Sequence, residues 1–217
     1  MKLFDALLDL LYPPRCAFCH RLLQSGEDGI CRFCIDRLPY TGERSERKDI
    51  PHVDRCVAPL FYENRVRDSL LRYKFGRLTG YAGIYARFMA KCIDENEISC
   101  DIITWVSVSR KRMRERGYDQ SELLAEAAAK LLGIPCVRTL NKVRHTVRQS
   151  RIKSDAGRKE NVKGAYRCVS AEQIAGKRVL LVDDIVTSGS TLAECARVLK
   201  EAGAASVCAA AVAMRKS

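Results

Sequence analysis

Residues 179–192 read VLLVDDIVTSGSTL. Four consecutive aliphatic residues predict a strand buried on both faces of a parallel sheet, and the strand ends in two adjacent carboxylates, Asp183 and Asp184. Thr187, Ser188, Ser190 and Thr191 then supply hydroxyls around Gly189, and a helix follows. At Gly189 no Cβ keeps the backbone away from a ligand, and the free N–H groups and positive dipole end of the helix favour an anion. A phosphate needs these features, while the paired acids suit ribose hydroxyls or a hydrated Mg²⁺. An ordinary capped helix start accounts for one acid and one hydroxyl, not for the whole block. The loop lacks the Gly-Lys-Ser/Thr ending of a Walker motif.

Cys16, Cys19, Cys31 and Cys34 form two C-x2-C pairs with eleven residues between them. Such knuckles place four thiolates tetrahedrally at about 2.3 Å from one Zn²⁺, in a closed structural site. His20 is adjacent, but the four-sulfur set is complete without it; a redox dithiol pair or two fortuitous CxxC sequences are the alternatives. A segment this short gains its stability from the metal. The other seven of the eleven cysteines are scattered through apolar or helical surroundings and read as small buried hydrophobes. An odd total argues against a secreted disulfide framework.

Cations gather in two further segments. After the apolar run 102–108 come Arg110, Lys111, Arg112, Arg114 and Arg116, which suit a diphosphate and exceed what one diphosphate requires. A nucleic-acid backbone is therefore a second reading, and a solvated basic turn a third. Residues 140–166 are long, basic and poor in apolar side chains, as expected of a lid or a linker; Arg144, Thr146, Arg148, Gln149, Arg158 and Asn161 stand out there. His145 is a candidate base, although a lone histidine in a basic loop more often only titrates. The net charge of +12 favours polyanionic partners.

Strands and helices must hold these groups in place. Residues 1–12 place Leu3, Phe4, Leu7, Leu8 and Leu11 on one face and read as a short docking helix, not a secretory leader. No apolar run approaches the roughly 20 residues of a membrane span, and a cytoplasmic location is expected. The polar run 41–49 reads as a linker, dividing residues 1–45 from a domain over 46–217. Within that domain the pattern predicts a strand at 56–63, helices at 66–76 and 81–94, a strand at 102–108, and a helix over Gln120–Leu132 capped by Asp119 and stopped by Gly133. A strand at 166–170, the strand at 179–184, a helix at 191–202 and a last strand at 206–214 follow. Alternating strands and helices imply an α/β fold with a mainly parallel sheet.

These segments together resemble the ComF family (competence protein F). The likeness rests on LLDLLYPPRCAFC, the second CxxC, RYKFGR, RKRMRERGYDQSELLA, the Thr146, Gln149, Arg158 and Asn161 pattern, NVKGAY and VLLVDDIVTSGSTL. It implies a type I phosphoribosyltransferase fold behind an N-terminal zinc ribbon, and an association with DNA uptake in natural transformation. By that resemblance residues 187–191 bind the 5-phosphate of phosphoribosyl diphosphate, Asp183 and Asp184 the ribose, and Arg110 and Lys111 the diphosphate, with Mg²⁺. An acceptor would sit between the lid and the helix at 81–94. The other class of reading is a non-catalytic module that binds single-stranded DNA through Arg112, Arg114, Arg116, Arg144, Arg148 and Arg158, the ribbon docking to a partner such as a helicase. Relatives usually have Pro-Val-Pro-Leu at 106–109 and Asn at 119, where this chain has Val-Ser-Val-Ser and Asp119.

Overall fold

The computed structural model describes residues 13–144, 146 and 154–216. The stretch read as a docking helix lies outside them, as do His145, Arg148 and Gln149. Among the described residues no helix is long and apolar enough to cross a membrane.

In chain order the strands are β1 (Glu46–Arg47), β2 (Arg55–Val57), β3 (Leu60–Phe61), β4 (Ile102–Trp105), β5 (Leu140–Lys142), β6 (Tyr166–Cys168), β7 (Arg178–Val186) and β8 (Ser206–Met214). The main sheet runs β1-β2-β8-β7-β4, with β3 also paired to β8. All its pairs are parallel except β1 with β2. β5 and β6 form a separate antiparallel pair. Val179, Leu180, Leu181 and Val182 are buried on both faces of the sheet, as the aliphatic run predicts.

The helices are α1 (Arg32–Ile35), α2 (Asn64–Phe75), α3 (Tyr81–Glu95), α4 (Arg110–Arg116), α5 (Gln120–Leu132), α6 (Asp155–Val162), α7 (Ala171–Ile174) and α8 (Ser190–Glu201). α2, α3 and α5 cover one face of the sheet, packing on Trp105, Leu180, Val182 and Val212. α8 and the β5–β6 pair cover the other, on Val179, Leu181, Ala209 and Ala211. Local chemistry sets the helix ends. The Gly76 N–H donates to the Arg72 carbonyl at the end of α2. The Asp119 carboxylate accepts from the Ser121 and Glu122 amides at the start of α5, and Gly133 closes it in the left-handed conformation at φ 68°.

Three expectations change. The strand expected at 56–63 is split into β2 and β3 by Ala58 and Pro59, the proline having no N–H for a ladder. The stretch 140–166 is not structureless: it holds β5, α6 and the start of β6, and Ser154 caps α6 by accepting from Gly157 N. The run 41–49 is built into the fold rather than a free linker. Thr41 Oγ1 donates to the Ala58 carbonyl at 2.7 Å, β1 pairs with β2, and Arg47 Nη1 donates to the Thr187 carbonyl at 2.7 Å. A polar run shows no apolar periodicity, so bonds to distant backbone leave no trace in its pattern.

The cysteine segment docks on the same core. Phe18 meets Tyr85 and Phe88 edge-on, at centroid distances of 5.8 and 5.9 Å. The Ala17 carbonyl accepts from Ser69 Oγ and Arg72 Nη2, and Arg72 also donates to Phe18 O at 2.7 Å.

Candidate functional site

The loop after β7 carries the geometry its residues predict. Gly189 has φ +74°, and a Cβ there would lie 2.8 Å from Ile50 Cγ1, so glycine is required by conformation and by space. The amides of α8 open directly behind it. Ser188 and Ser190 share a hydrogen bond of 2.9 Å, while Thr187 and Thr191 line a cleft of about 510 Å³. That volume suits a small-molecule ligand. The cleft lies beyond the carboxyl ends of β4 and β7, where open parallel sheets bind ligands.

Asp183 and Asp184 both line this cleft. Successive strand residues point to opposite faces, so the two carboxylates have different partners. Asp184 pairs with Lys74 Nζ of α2 at 2.9 Å. Asp183 Oδ1 accepts from Ser121 Oγ at 3.1 Å and from the Asp184 amide at 2.8 Å. Burial, with the neighbouring Asp184 charge, pushes the Asp183 carboxyl up to about 7.

Of the five cations at 110–116, the cleft wall includes Arg112 and Arg116. The run is a helix, and positions four apart share a face; Arg110, Lys111 and Arg114 are exposed and lie outside the cleft lining. Arg158 and Thr146 line the cleft from the lid side. Arg144 instead braces the lid backbone, donating to Asn161 O at 3.2 Å and Lys163 O at 2.7 Å. Glu194 of α8 accepts from Gly164 N at 2.7 Å and so ties the turn after α6 to the helix that follows Gly189. The helix expected to border an acceptor, now α3, contributes nothing to the lining.

Several lining residues carried no role in the sequence reading. Lys142 is buried, donates to Tyr166 Oη at 3.1 Å, and its ammonium is pushed down to about 8 by burial and by Arg112. It enters the cleft through the β5–β6 pairing, which sets Lys142 opposite Tyr166. Lys74, Ser107, Gln120 and Arg215 are among the others. For Lys74 and Gln120 the only signal was membership of the quoted motifs RYKFGR and RKRMRERGYDQSELLA; Lys142 and Arg215 lie in none of the quoted motifs. Asp119, which stands where relatives have Asn, is buried and accepts from the Val108, Ser121 and Glu122 amides.

A larger hollow of about 650 Å³ lies between the cysteine segment and α3. Its wall is mostly apolar, and its charges are largely paired with one another, Arg87 with Asp28 and Lys91 with Glu95. The chemistry converges on the smaller cleft.

Cys16, Cys19, Cys31 and Cys34 bring their sulfurs within 4.8 Å of one another. A tetrahedral Zn²⁺ with bonds of about 2.3 Å holds its sulfurs about 3.8 Å apart, and Cys19 and Cys31 are already at 3.6 Å. The Cys31 amide donates to Cys16 Sγ at 3.4 Å and Arg65 to Cys34 Sγ at 3.6 Å, a polar shell that suits thiolates. His20 stands outside the group.

Residues 119–217 match the family model of the phosphoribosyl transferase domain, and residues 7–47 that of the double zinc ribbon domain. Competence protein F of Haemophilus influenzae is 28% identical over 211 residues, covering 87% of this chain and 92% of that one. DNA utilization protein YhgH of Salmonella typhimurium is 30% identical over 223 residues, covering 91% and 96%. The chain belongs to the ComF family. Its fold is a type I phosphoribosyltransferase domain behind a zinc ribbon whose four cysteines form a structural zinc site. Among solved structures, the glutamine phosphoribosylpyrophosphate amidotransferase of B. subtilis, complexed with ADP and GMP, is 26% identical, with a TM-score of 0.39 over 63% of this chain and 26% of that one.

Two outcomes are expected. Purified protein holds one equivalent of zinc by elemental analysis; Cys31→Ser loses it and lowers Tm, because the ribbon packs on α2 and α3. A metal-free, equally stable wild type would count against the zinc site. Separately, the raised pKa of Asp183 means that its contribution to stability is present at low pH and is lost as pH rises from the carboxylate range through about 7. Asp183→Asn cannot ionise, so its Tm advantage over ligand-free wild type grows from pH 5 to 7 and then levels off in a calorimetric series. A gap that stays constant with pH would contradict the assignment.

Proposed function

We propose that the cleft binds phosphoribosyl diphosphate with Mg²⁺, and that the protein serves the handling of DNA during natural transformation. The observation that carries the first part is the convergence, in one cleft, of a glycine-hydroxyl loop at a helix amino terminus, two carboxylates and six cations: Lys74, Arg112, Arg116, Lys142, Arg158 and Arg215. Six cations against two acids leave an excess of four positive charges, which suits a ligand with several phosphates. The second part rests on the relatives, which bear the names competence protein F and DNA utilization protein.

In this reading residues 187–191 hold the 5-phosphate through the α8 amides and their hydroxyls. Asp183 and Asp184 take the ribose hydroxyls. Arg112, Lys142 and Arg158 face the diphosphate, where Arg110 and Lys111 were expected. An anion at Lys142 offsets the burial that depresses its pKa. The oxygen donors fit Mg²⁺, which binds through one or two carboxylates together with substrate phosphates; when bound it supplies charge neutralisation for the diphosphate. Asp183 gives up its proton on meeting a cation, so binding strengthens as pH rises through about 7. An enzyme of this build would transfer the 5-phosphoribosyl group to a nucleophile as diphosphate leaves.

Titration calorimetry tests the ligand. Asp183→Asn combined with Asp184→Asn should abolish Mg²⁺-dependent binding of phosphoribosyl diphosphate while the far-ultraviolet dichroism stays native. Undiminished affinity in the double variant would move the site elsewhere.

One observation favours a further DNA contact: Arg110, Lys111 and Arg114 are exposed and outside the cleft lining. If they meet the backbone of single-stranded DNA, log affinity falls with log salt by about 0.7 per phosphate contacted. Replacing all three with Ala lowers that slope by about 2 in anisotropy titrations of a labelled oligonucleotide, with or without phosphoribosyl diphosphate. No binding at about 50 mM salt, where backbone contacts are strongest, removes this reading.

A further inference from the structure

Lys142 lines the cleft and is 9% exposed. Its partners are the Tyr166 hydroxyl at 3.1 Å and the Tyr166 ring, whose centroid lies 4.9 Å from Nζ. Among the described residues no carboxylate pairs with it, whereas Lys74 has Asp184, and the more exposed Lys200 and Lys216 have Asp54 and Glu63. An ammonium taken out of water without a counter-charge is costly, and such a lysine tends to give up its proton.

The groups around it keep it poised that way. Burial holds the Tyr166 hydroxyl well above the ordinary phenol range, so it stays neutral and supplies no counter-charge. Burial, then Arg112 and Arg144, push the Lys142 ammonium down to about 8 against the opposing pull of Cys195 and Asp183. Near neutrality a sizeable share of Lys142 is therefore free amine, while a lysine at the ordinary value of about 10.4 is almost wholly ammonium. Lysines lowered in this way are nucleophiles toward carbonyl groups.

Position decides which carbonyl. The pairing of β5 with β6 sets Lys142 opposite Tyr166, and both line the same cleft as Asp183, Asp184, Thr187 and Thr191. One small molecule there meets a glycine-hydroxyl loop suited to phosphate, two carboxylates suited to hydroxyls, and an amine suited to a carbonyl carbon. An open-chain sugar phosphate carries all of these groups. We infer that Lys142 forms a reversible imine with the aldehyde of a phosphorylated open-chain aldose. The Nζ lone pair adds to the carbonyl carbon, the C=O π bond opens, and one proton passes from nitrogen to oxygen to give a carbinolamine. The hydroxyl then leaves as water with the second amine proton, and C=N forms. Hydrolysis reverses the sequence, and nothing is oxidised or reduced. The inference rests on the reading that the loop after β7 takes a phosphate, and it adds a covalent step distinct from phosphoribosyl transfer.

The full-length protein is incubated with ribose 5-phosphate or glyceraldehyde 3-phosphate, and any imine is reduced with borohydride. Intact mass counts the adducts and peptide mapping locates them. One adduct per chain is expected, on Lys142, saturating with aldehyde concentration. The phosphate-free parents, ribose and glyceraldehyde, should need about tenfold higher concentration, the effect of losing one charge-assisted hydrogen bond. Lys142→Arg keeps the charge and should abolish the adduct; where that variant fails to fold, the peptide map of the wild type still decides the site. Label spread over exposed lysines, an equal adduct in folded Lys142→Arg, or equal labelling by the phosphate-free aldehydes overturns the inference. Phosphoribosyl diphosphate with Mg²⁺ should protect Lys142, and labelling undiminished at a dose that saturates by calorimetry would also overturn it. An adduct on Lys142 in a protein that fails to bind phosphoribosyl diphosphate keeps the imine and removes the ligand reading; binding of that ligand with no adduct does the reverse.

Discussion

Two carboxylates at consecutive positions repel each other, and the cleft is organised around holding Asp183 and Asp184 at the end of one buried strand. The alternation of a strand turns them to opposite faces, yet the helical layer reaches both, through Lys74 of α2 and Ser121 of α5. From the helical layer Lys74 neutralises Asp184 at 2.9 Å. Among the described residues Asp183 accepts from a serine hydroxyl and a backbone amide, and burial beside the Asp184 charge raises its proton affinity. The surrounding cations balance the pair at longer range. Moving α2 away from the sheet would leave Asp184 buried and uncompensated, a change worth several kcal/mol. The position of α2, and with it Phe75, is therefore tied to the carboxylates.

The parts that sequence disclosed are those whose chemistry is contiguous. Strand, acids, hydroxyl loop and helix of the candidate site follow one another within fourteen residues, 179–192, and each constrains the next. The same holds for the paired CxxC knuckles and for the Asp119 and Gly133 caps of α5. What stayed hidden depends on pairings between distant segments. Lys142 reaches the cleft because β5 pairs with β6 across 23 intervening residues, 143–165. Arg112 and Arg116 face inward because residues 110–116 coil into a helix; a run of cations has no apolar stripe to reveal which side is which. Gln120 reads as an ordinary first-turn residue until its amide is found buried.

The zinc ribbon shares its core with the domain behind it. Cys16, Ala17 and Phe18 belong to the same apolar cluster as Leu70, Tyr73 and Tyr85, and the Ala17 carbonyl is held by two side chains of α2. The helix that positions Lys74 and Phe75 thus carries the ribbon on one side and the cleft on the other. Metal at the four cysteines and ligand in the cleft bear on opposite sides of one rigid element.

The segment that leaves the ribbon has its own part in holding the loop after β7. Arg47 holds the Thr187 carbonyl, and Ile50 occupies the space that a side chain at 189 would need. The ribbon family model extends to residue 47, so the matched segment already contains a residue that holds the loop after β7. The two modules therefore cannot be exchanged as interchangeable cassettes. A foreign ribbon grafted onto this domain, or this domain grafted behind another leader, must bring an arginine and a bulky aliphatic residue at those two places.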